Sequence, residues 1–420
     1  MKRSALVVVD LGFGDAGKGL LTDFLTRTRN VGAVVRFNGG AQAGHNVVTA
    51  DGRHHTFAQL GAGSFVPGVR TFLSRHVVLH PSALLVEAQV LEGKGVPRPL
   101  ERLCISGEAL VVTPFHQASN RIRELSRGLA RHGSCGVGVG AAVEHALGFP
   151  EEALRARHLF DGRGARGRLE RIRSRMESEV ASLLPSGHPE RALLESSDVS
   201  DRYLEQLAPL RAARAILPEE RFAAALASQG NVVFEGAQGV LLDQNHGFHP
   251  HTTWSHCTFE NALELTRGFD CVERIGVLRA FPVRHGPGPF PTADAAVTAL
   301  VQEPHNVDGP WQGAVRHGWF DPVLARYALE VVGGVDAVAL THMDAVERLG
   351  RWRLCDDYAQ LPVHRSPEPD ERLVGLLRGL APTYREVLPD AVRATLEALL
   401  GVRVRYQYRG PCATDVTDYL

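Results

Sequence analysis

The chain has 420 residues, with 46 basic and 47 acidic side chains and a formal net charge of -1. So even a balance gives no broad cationic face for nucleic acid or an acidic membrane, and no apolar run reaches the roughly 20 residues that a membrane span needs. The six cysteines, Cys104, Cys135, Cys257, Cys271, Cys355 and Cys412, form no CxxC pair, so neither a zinc site nor a disulfide framework is expected and the compartment reads as reducing.

Met1-Lys2-Arg3 and the apolar residues after it resemble the start of a leader, but Asp10 ends the run too early. The run reads instead as the first strand of a cytoplasmic protein. From Val7 the chain passes through a buried strand and a glycine-rich loop into a helix that starts near Leu20. Four glycines let the backbone approach an anion, successive N–H groups supply partial positive charge, and Lys18 adds a full one. Only Lys2, Lys18 and Lys94 are lysines among the 46 basic residues, which sets Lys18 apart from chance. The spacing Gly12-x4-Gly17-Lys18 fits a P-loop up to its last place, where Gly19 stands for the magnesium-binding Ser or Thr. Asp15, inside the loop, is the candidate for that metal and for taking a proton from a substrate. The plain alternative is a tight turn whose glycines serve geometry alone.

Residues 32–37 predict a second buried strand, followed by another glycine-rich loop at 38–45; two such loops at adjacent strand ends imply a shared site. Asp51-Gly52 marks a hairpin between 46–49 and 54–60. Residues 70–79 read as a strand, 81–95 as a helix opened by Pro81 and closed by Gly95, and 102–106 as a strand. A third glycine-rich segment spans 133–140, and 151–228 reads as a mainly helical insertion rich in Arg, Ala and Leu. Strands are expected again at 231–235 and 272–278, separated by a polar loop containing His246, His249, His251 and His256. Their spacing fits no tetrahedral zinc pattern, so they read as loop histidines. Asp321-Pro322 opens a helix through Val332, Gly333-Gly334 closes it, and strands follow at 335–340 and 402–408. The pattern is α/β: one domain over 1–420 with a large, mostly parallel sheet, flanking helices and a P-loop-like nucleotide site.

With these pieces in place the chain resembles the adenylosuccinate synthetase family from end to end. The motifs are Gly14-Asp15-Ala16-Gly17-Lys18-Gly19, Gln42-Ala43-Gly44-His45, Phe234-Glu235-Gly236-Ala237-Gln238-Gly239, Gly288-Pro289-Phe290-Pro291-Thr292 and Thr341-His342-Met343-Asp344. The resemblance implies a GTP-dependent ligase that phosphorylates a lactam oxygen and displaces the phosphate with an amine. It implies Asp15 as base, Lys18 and His45 in phosphoryl transfer, and Asp15 with the Gly44 carbonyl as Mg2+ ligands. GTP contacts are implied at Gly14, Gly17, Lys18, Gly19, Asp344, Gly410 and Pro411, substrate contacts at Gln42, Gln238, Thr253 and Arg316, and a homodimer as the assembly. Asp344 has its own argument: one carboxylate accepts both guanine donors, N1–H and the exocyclic amine, whereas adenine would leave it unpaired. The alternative role is an N-cap for 345–349.

The substrate side departs from the family. Where the family carries a Thr-rich loop and an arginine cluster for aspartate, the chain reads Gly313-Ala314-Val315-Arg316 before Gly318-Trp319, so only Arg316 is left to pair with a dicarboxylate. The loop for the nucleotide 5′-phosphate reads Ser134 to Ala141 without its threonine and arginine, and Glu151-Glu152 fall where paired arginines are expected. The expectation is a GTP engine with a changed acceptor pocket. An unaltered adenylosuccinate synthetase and a non-catalytic guanine-nucleotide binder stay open as alternatives.

Overall fold

The structure, a computed structural model, describes residues 2–420 apart from 302, 304, 305, 307, 310, 357 and 359–370. Its frame is a single sheet built from β1 (Ser4–Asp10), β2 (Val31–Arg36), β3 (Arg70–Leu73), β4 (Leu103–Ser106), β5 (Ile216–Leu217), β6 (Asn231–Glu235), β7 (Cys271–Arg279), β8 (Ala337–Thr341), β9 (Val404–Tyr408) and β10 (Val416–Asp418). The order across the sheet is β10-β9-β8-β7-β1-β6-β2-β3-β4-β5. Every pair is parallel except β9 with β10. The expected α/β class, with its large and mostly parallel sheet, is therefore what the chain adopts.

Parallel strands with helices on both faces are apolar on both faces. Along β1, Ala5, Val7 and Val9 pack into a core with Phe234 and Phe248, while Leu6 and Val8 face a second core with Leu21, Leu25 and Tyr406. That is why its last six residues are all buried. A third core, under the helical segment, joins Leu79, Ile105 and Phe115 to Leu169 and Ile172.

Local signals hold up well where backbone chemistry is explicit. Asp51-Gly52 closes a hairpin of His45–Val48 with His54–Phe57. Helix Pro81–Gly93 starts on its proline, and helix Pro322–Val331 starts on Asp321, whose carboxylate accepts the Val323 and Leu324 amides at 3.0 Å each. Elsewhere tertiary contacts redraw the expectation. Residues 70–79 are two pieces, because the Ser74 amide donates to the Arg36 carbonyl at 3.1 Å and a turn from Ser74 to Val77 frees Val78–Leu79 to pair with Leu110–Val111. The segment 151–228 is mainly helical, with Gly162–Val180 the longest helix, but its end belongs to the sheet: β5 forms the edge, and helix Glu219–Ala227 sets Phe222 against Phe72. The strand expected at 402–408 begins at Val404 and is followed by β10, which returns antiparallel to it. None of the described helices is long and apolar enough to cross a membrane.

Candidate active site

Four neighbouring strands end in buried charge: β7 in Arg279, β1 in Asp10, β6 in Glu235 and β2 in Arg36. A charge at the end of an apolar strand lies where the loops diverge, which in open α/β sheets is where ligands bind. The loops after β1, β2 and β6 enclose a cleft of about 620 Å³ there.

The loop after β1 leads into α1 (Lys18–Thr28) through Gly17, whose φ of 94° favours glycine. Asp10 organises this loop, accepting the Gly12 and Ala16 amides at 2.8 and 2.9 Å and the Lys18 ammonium at 2.9 Å. Both charged groups are almost fully buried. The glycine at position 19, in place of the hydroxyl residue of a P-loop, has a steric cause. A Cβ there would sit 2.9 Å from the His45 Cβ and 3.0 Å from the Asn46 carbonyl. The hairpin carrying His45 lies directly on the first turn of α1.

His45 is buried, and its Nδ1 lies 2.6 Å from Glu235 Oε1, while Glu235 Oε2 accepts the Ala62 amide at 3.0 Å. Burial and then Arg36 depress the imidazole to about 4, and the Glu235 charge offsets this only in part. Burial would raise the Glu235 carboxyl, but His45 and Arg36 outweigh it and hold it low. At neutral pH the pair is a neutral imidazole donating from Nδ1 to a carboxylate. Its buried Nε2 has no partner among the described residues and His45 lines the cleft.

Asp15 sits at φ 58°, unusual for a residue with a side chain. Its Oδ2 accepts the Asn306 amide at 2.5 Å and lies 3.8 Å from both the Arg279 guanidinium and His285 Nε2. Burial would raise its pKa, but His285, Arg279 and Asn306 lower it overall, so the group is ionised at neutral pH. Asn306 also donates to Glu303, which pairs with Arg279 and with His342 Nε2 at 2.8 Å. Burial works against the Glu303 charge, but Arg279, His317 and His342 hold its carboxyl well below the usual range. Through Asn306, Arg279 and His342, Glu303 thus links Asp15 to the end of β8.

The cleft brings together Gly14, Asp15, Lys18, Gln42, Gly44, His45, Gln238 and Thr253. Gln42 presents an amide whose buried oxygen and nitrogen both lack a partner among the described residues. Gly17, Gly19, Asp344, Gly410, Pro411 and Arg316 lie outside this lining. A Cβ on Gly17 would touch Thr341 Cγ2 at 3.1 Å, so the loop abuts the end of β8. Asp344 follows in the first turn of helix Met343–Leu349, whose cap position is His342. The N-cap role weighed for Asp344 therefore falls to another residue. Gly410 and Pro411 follow the adjacent β9. Arg316 donates to the Gly286 and Gly288 carbonyls at 2.7 and 3.1 Å. Glu152 is paired with Arg175 and, with Glu151, does not line the cleft. His249, His251 and His256 bond respectively to the Gln244 carbonyl, Arg378 and the Gln244 amide. Sequence reasoning missed Asp10, Arg279, His285, Glu303 and Asn306. The first two carried a readable signal, a charge closing a buried strand; the others come from segments with no periodicity.

A family model described as adenylosuccinate synthetase matches residues 7–387. The chain belongs to the adenylosuccinate synthetase family. An adenylosuccinate synthetase from Alkalilimnicola ehrlichii is 33% identical over 441 residues, covering 97% of this chain and 96% of that one. Another from Desulforudis audaxviator is 33% identical, covering 94% and 93%. Two solved structures share the fold. Fully ligated adenylosuccinate synthetase from Plasmodium falciparum matches with a TM-score of 0.81 at 19% identity over 99% of each chain. A cyanophage S-2L succinoaminodeoxyadenylate synthetase, bound to dGMP and to dATP as an energy donor, gives 0.66 at 20% identity over 100% of this chain and 96% of that one. As a member of the adenylosuccinate synthetase family the protein is an enzyme, a GTP-dependent ligase.

Proposed function

We propose that the protein is a GTP-dependent carbon–nitrogen ligase whose acceptor and amine pockets have moved away from IMP and aspartate. The observation that carries this reading is the company of Asp15: His45 and Lys18 share its cleft, whereas the loop after residue 301 brings it a carboxylate and an amide, Glu303 and Asn306, with Arg316 engaged elsewhere.

Asp15 takes the N–H proton of a lactam once Asn306 gives way, and the lactam oxygen attacks the γ-phosphorus of GTP. The bond to the β,γ-bridging oxygen breaks and GDP leaves. The amine lone pair then attacks the carbon bearing the new phosphate, the carbon–oxygen bond breaks, orthophosphate departs and the amine proton is lost. Lys18 and the N–H groups of the loop after β1 neutralise charge on the phosphates. His45 reaches the cleft with an unprotonated Nε2, so it must gain a proton to donate to a departing oxygen; the phosphates' negative charge favours that gain. The Asp15 carboxylate and the exposed Gly44 carbonyl are hard oxygen donors suited to Mg2+, and these residues would hold it. When bound, the ion would add positive charge beside the phosphates. Asp344, Gly410 and Pro411, beyond the ends of β8 and β9, would receive the guanine. The reading includes a cytoplasmic homodimer that works on small molecules, and a monomer in sedimentation velocity would remove the dimer.

The test supplies GTP, Mg2+, IMP and aspartate and follows adenylosuccinate by absorbance. Without two charge-assisted hydrogen bonds at about 1.5 to 3 kcal/mol each, aspartate should bind roughly two to four powers of ten more weakly. Little or no product is expected, while GTP-dependent phosphate release appears with another lactam and amine. Turnover of about 1 s⁻¹ or faster at sub-millimolar aspartate would show an ordinary adenylosuccinate synthetase instead.

A further inference from the structure

The third glycine-rich segment leads from Gly133 through Gly138, at φ 91°, into helix Val139–Gly148, and it lines the cleft. A glycine-rich loop entering a helix is by default an anion cradle. Here the cradle is already filled from within. Glu124, fully buried, accepts the Gly133 and Ser134 amides at 3.1 and 3.3 Å through Oε2 and pairs with Arg127 through Oε1. Arg123 is divided between Glu144 and Glu179. The first turn of the helix is covered as well: a Cβ on Gly140 would lie 2.8 Å from Trp254 Cδ1, in an indole 46% exposed at the cleft.

What stays open on this wall is neutral. A Cβ on Gly40 would meet both Gln42 Oε1, at 2.9 Å, and Val139 Cγ2, at 3.1 Å, which sets the Gln42 amide beside the start of the helix. Its oxygen and nitrogen are both buried and, among the described residues, unpartnered. An amide with both ends open is satisfied by a group that donates and accepts, such as a hydroxyl; a phosphate accepts only and would leave Oε1 unpaired. Of the described cations lining the cleft, Lys18, Arg123 and Arg127 are already paired with carboxylates, while Arg284 keeps its charge but donates to the Pro287, Pro289 and His251 carbonyls, so a dianion would meet Glu124 and Glu144 with little to offset them on this wall.

We propose that Glu124, Glu144 and Gln42 make this wall select an acceptor without a phosphate, an uncharged lactam presenting a hydroxyl or similar neutral polar group to Gln42. The proposal rests on the ligase reading above and names its acceptor class. Inosine and IMP differ only in the phosphate, and hypoxanthine separates a free base from a nucleoside. Titrated calorimetrically into the full-length protein with GDP and Mg2+, inosine or hypoxanthine should bind at least about tenfold more tightly than IMP. Glu124→Gln keeps the accepting oxygen but releases Arg127, and Glu144→Gln removes one of the two carboxylates that hold Arg123, leaving it Glu179 alone. Each should strengthen IMP by about threefold or more and leave inosine unchanged. Glu144 is exposed, so its variant answers even if Glu124→Gln fails to fold. Tighter binding of IMP by the parent protein, unchanged IMP-to-inosine ratios in the variants, or no binding of either uncharged compound at millimolar concentration would each overturn the proposal. Efficient GTP-dependent turnover of IMP would remove it together with the departure from IMP, and leave only a GTP-dependent ligase standing. No GTP turnover with any lactam would remove the ligase reading, with the binding ratio still decisive here.

Discussion

The two walls of the cleft are built on different principles. On the wall of strand ends, Asp10 and Glu235 are fully buried and hold Lys18 and His45 in place. On the facing wall only Glu124 is fully buried; its partner Arg127, and Arg123 with its partners Glu144 and Glu179, are partly exposed on helices and a helix end. Burial is what separates them. A buried ion pair cannot lose one partner without leaving an uncompensated charge, whereas exposed pairs contribute about 1 kcal/mol or less and can be exchanged at little cost. A substitution in the sheet-anchored pairs is therefore costlier than one in the exposed pairs of the facing wall.

The sharpest way to break the comparison is at Asp15. Asp15→Asn should reduce turnover by at least about a thousandfold while GTP affinity changes by less than about threefold, since the base acts in the transition state. Phosphate release against direct GTP titration separates the two, and turnover at the parent rate would refute the assignment. Next comes Lys18→Ala, which strands Asp10 in the interior: a loss of about 3 to 5 kcal/mol in urea denaturation is expected, together with weaker GTP binding. A Lys18→Met, Asp10→Asn double variant should regain most of the stability but not the affinity. Equal stability of Lys18→Ala and parent would mean that the pair contributes nothing.

Asp344→Asn should weaken GTP by at least about tenfold, roughly 1.4 kcal/mol, and favour xanthosine triphosphate, whose C2 carbonyl accepts where guanine donates. The parent protein should show the matching preference for GTP over ATP, and equal affinities would exclude Asp344 as the guanine reader. The smallest effect is pH-dependent. His116 is buried, and burial, then His145, lower its pKa to about 3. The native imidazole refuses the proton that the unfolded chain accepts below about 6.5. Stability contributed by this residue is full above that value, falls as pH drops, and is gone below about 3. His116→Gln should therefore flatten the acid limb of Tm against pH over that window; an unchanged slope would assign the limb to other groups.

Much of this was legible in the chain itself. The run from Val7 to Gly19 announced a strand, a glycine-rich loop and a helix because apolar patterning and glycine act through local backbone geometry, and Asp51-Gly52 and Asp321-Pro322 worked for the same reason. What the sequence left hidden were contacts between residues far apart. The link from Asn306 to Asp15 spans 291 positions, that from Glu235 to His45 spans 190, and β5 is too short to show any alternation. Arg316 shows the limit most clearly. Its type and place in the chain marked it as a carboxylate binder, but the direction of a guanidinium depends on which acceptors lie around it. The carbonyls of Gly286 and Gly288 reach Arg316 only because Val283–His285 and Val315–His317 pair as antiparallel strands. Local chemistry determined the elements and the glycine-rich loop after β1; the packing of distant segments decided which charges were left to face the cleft.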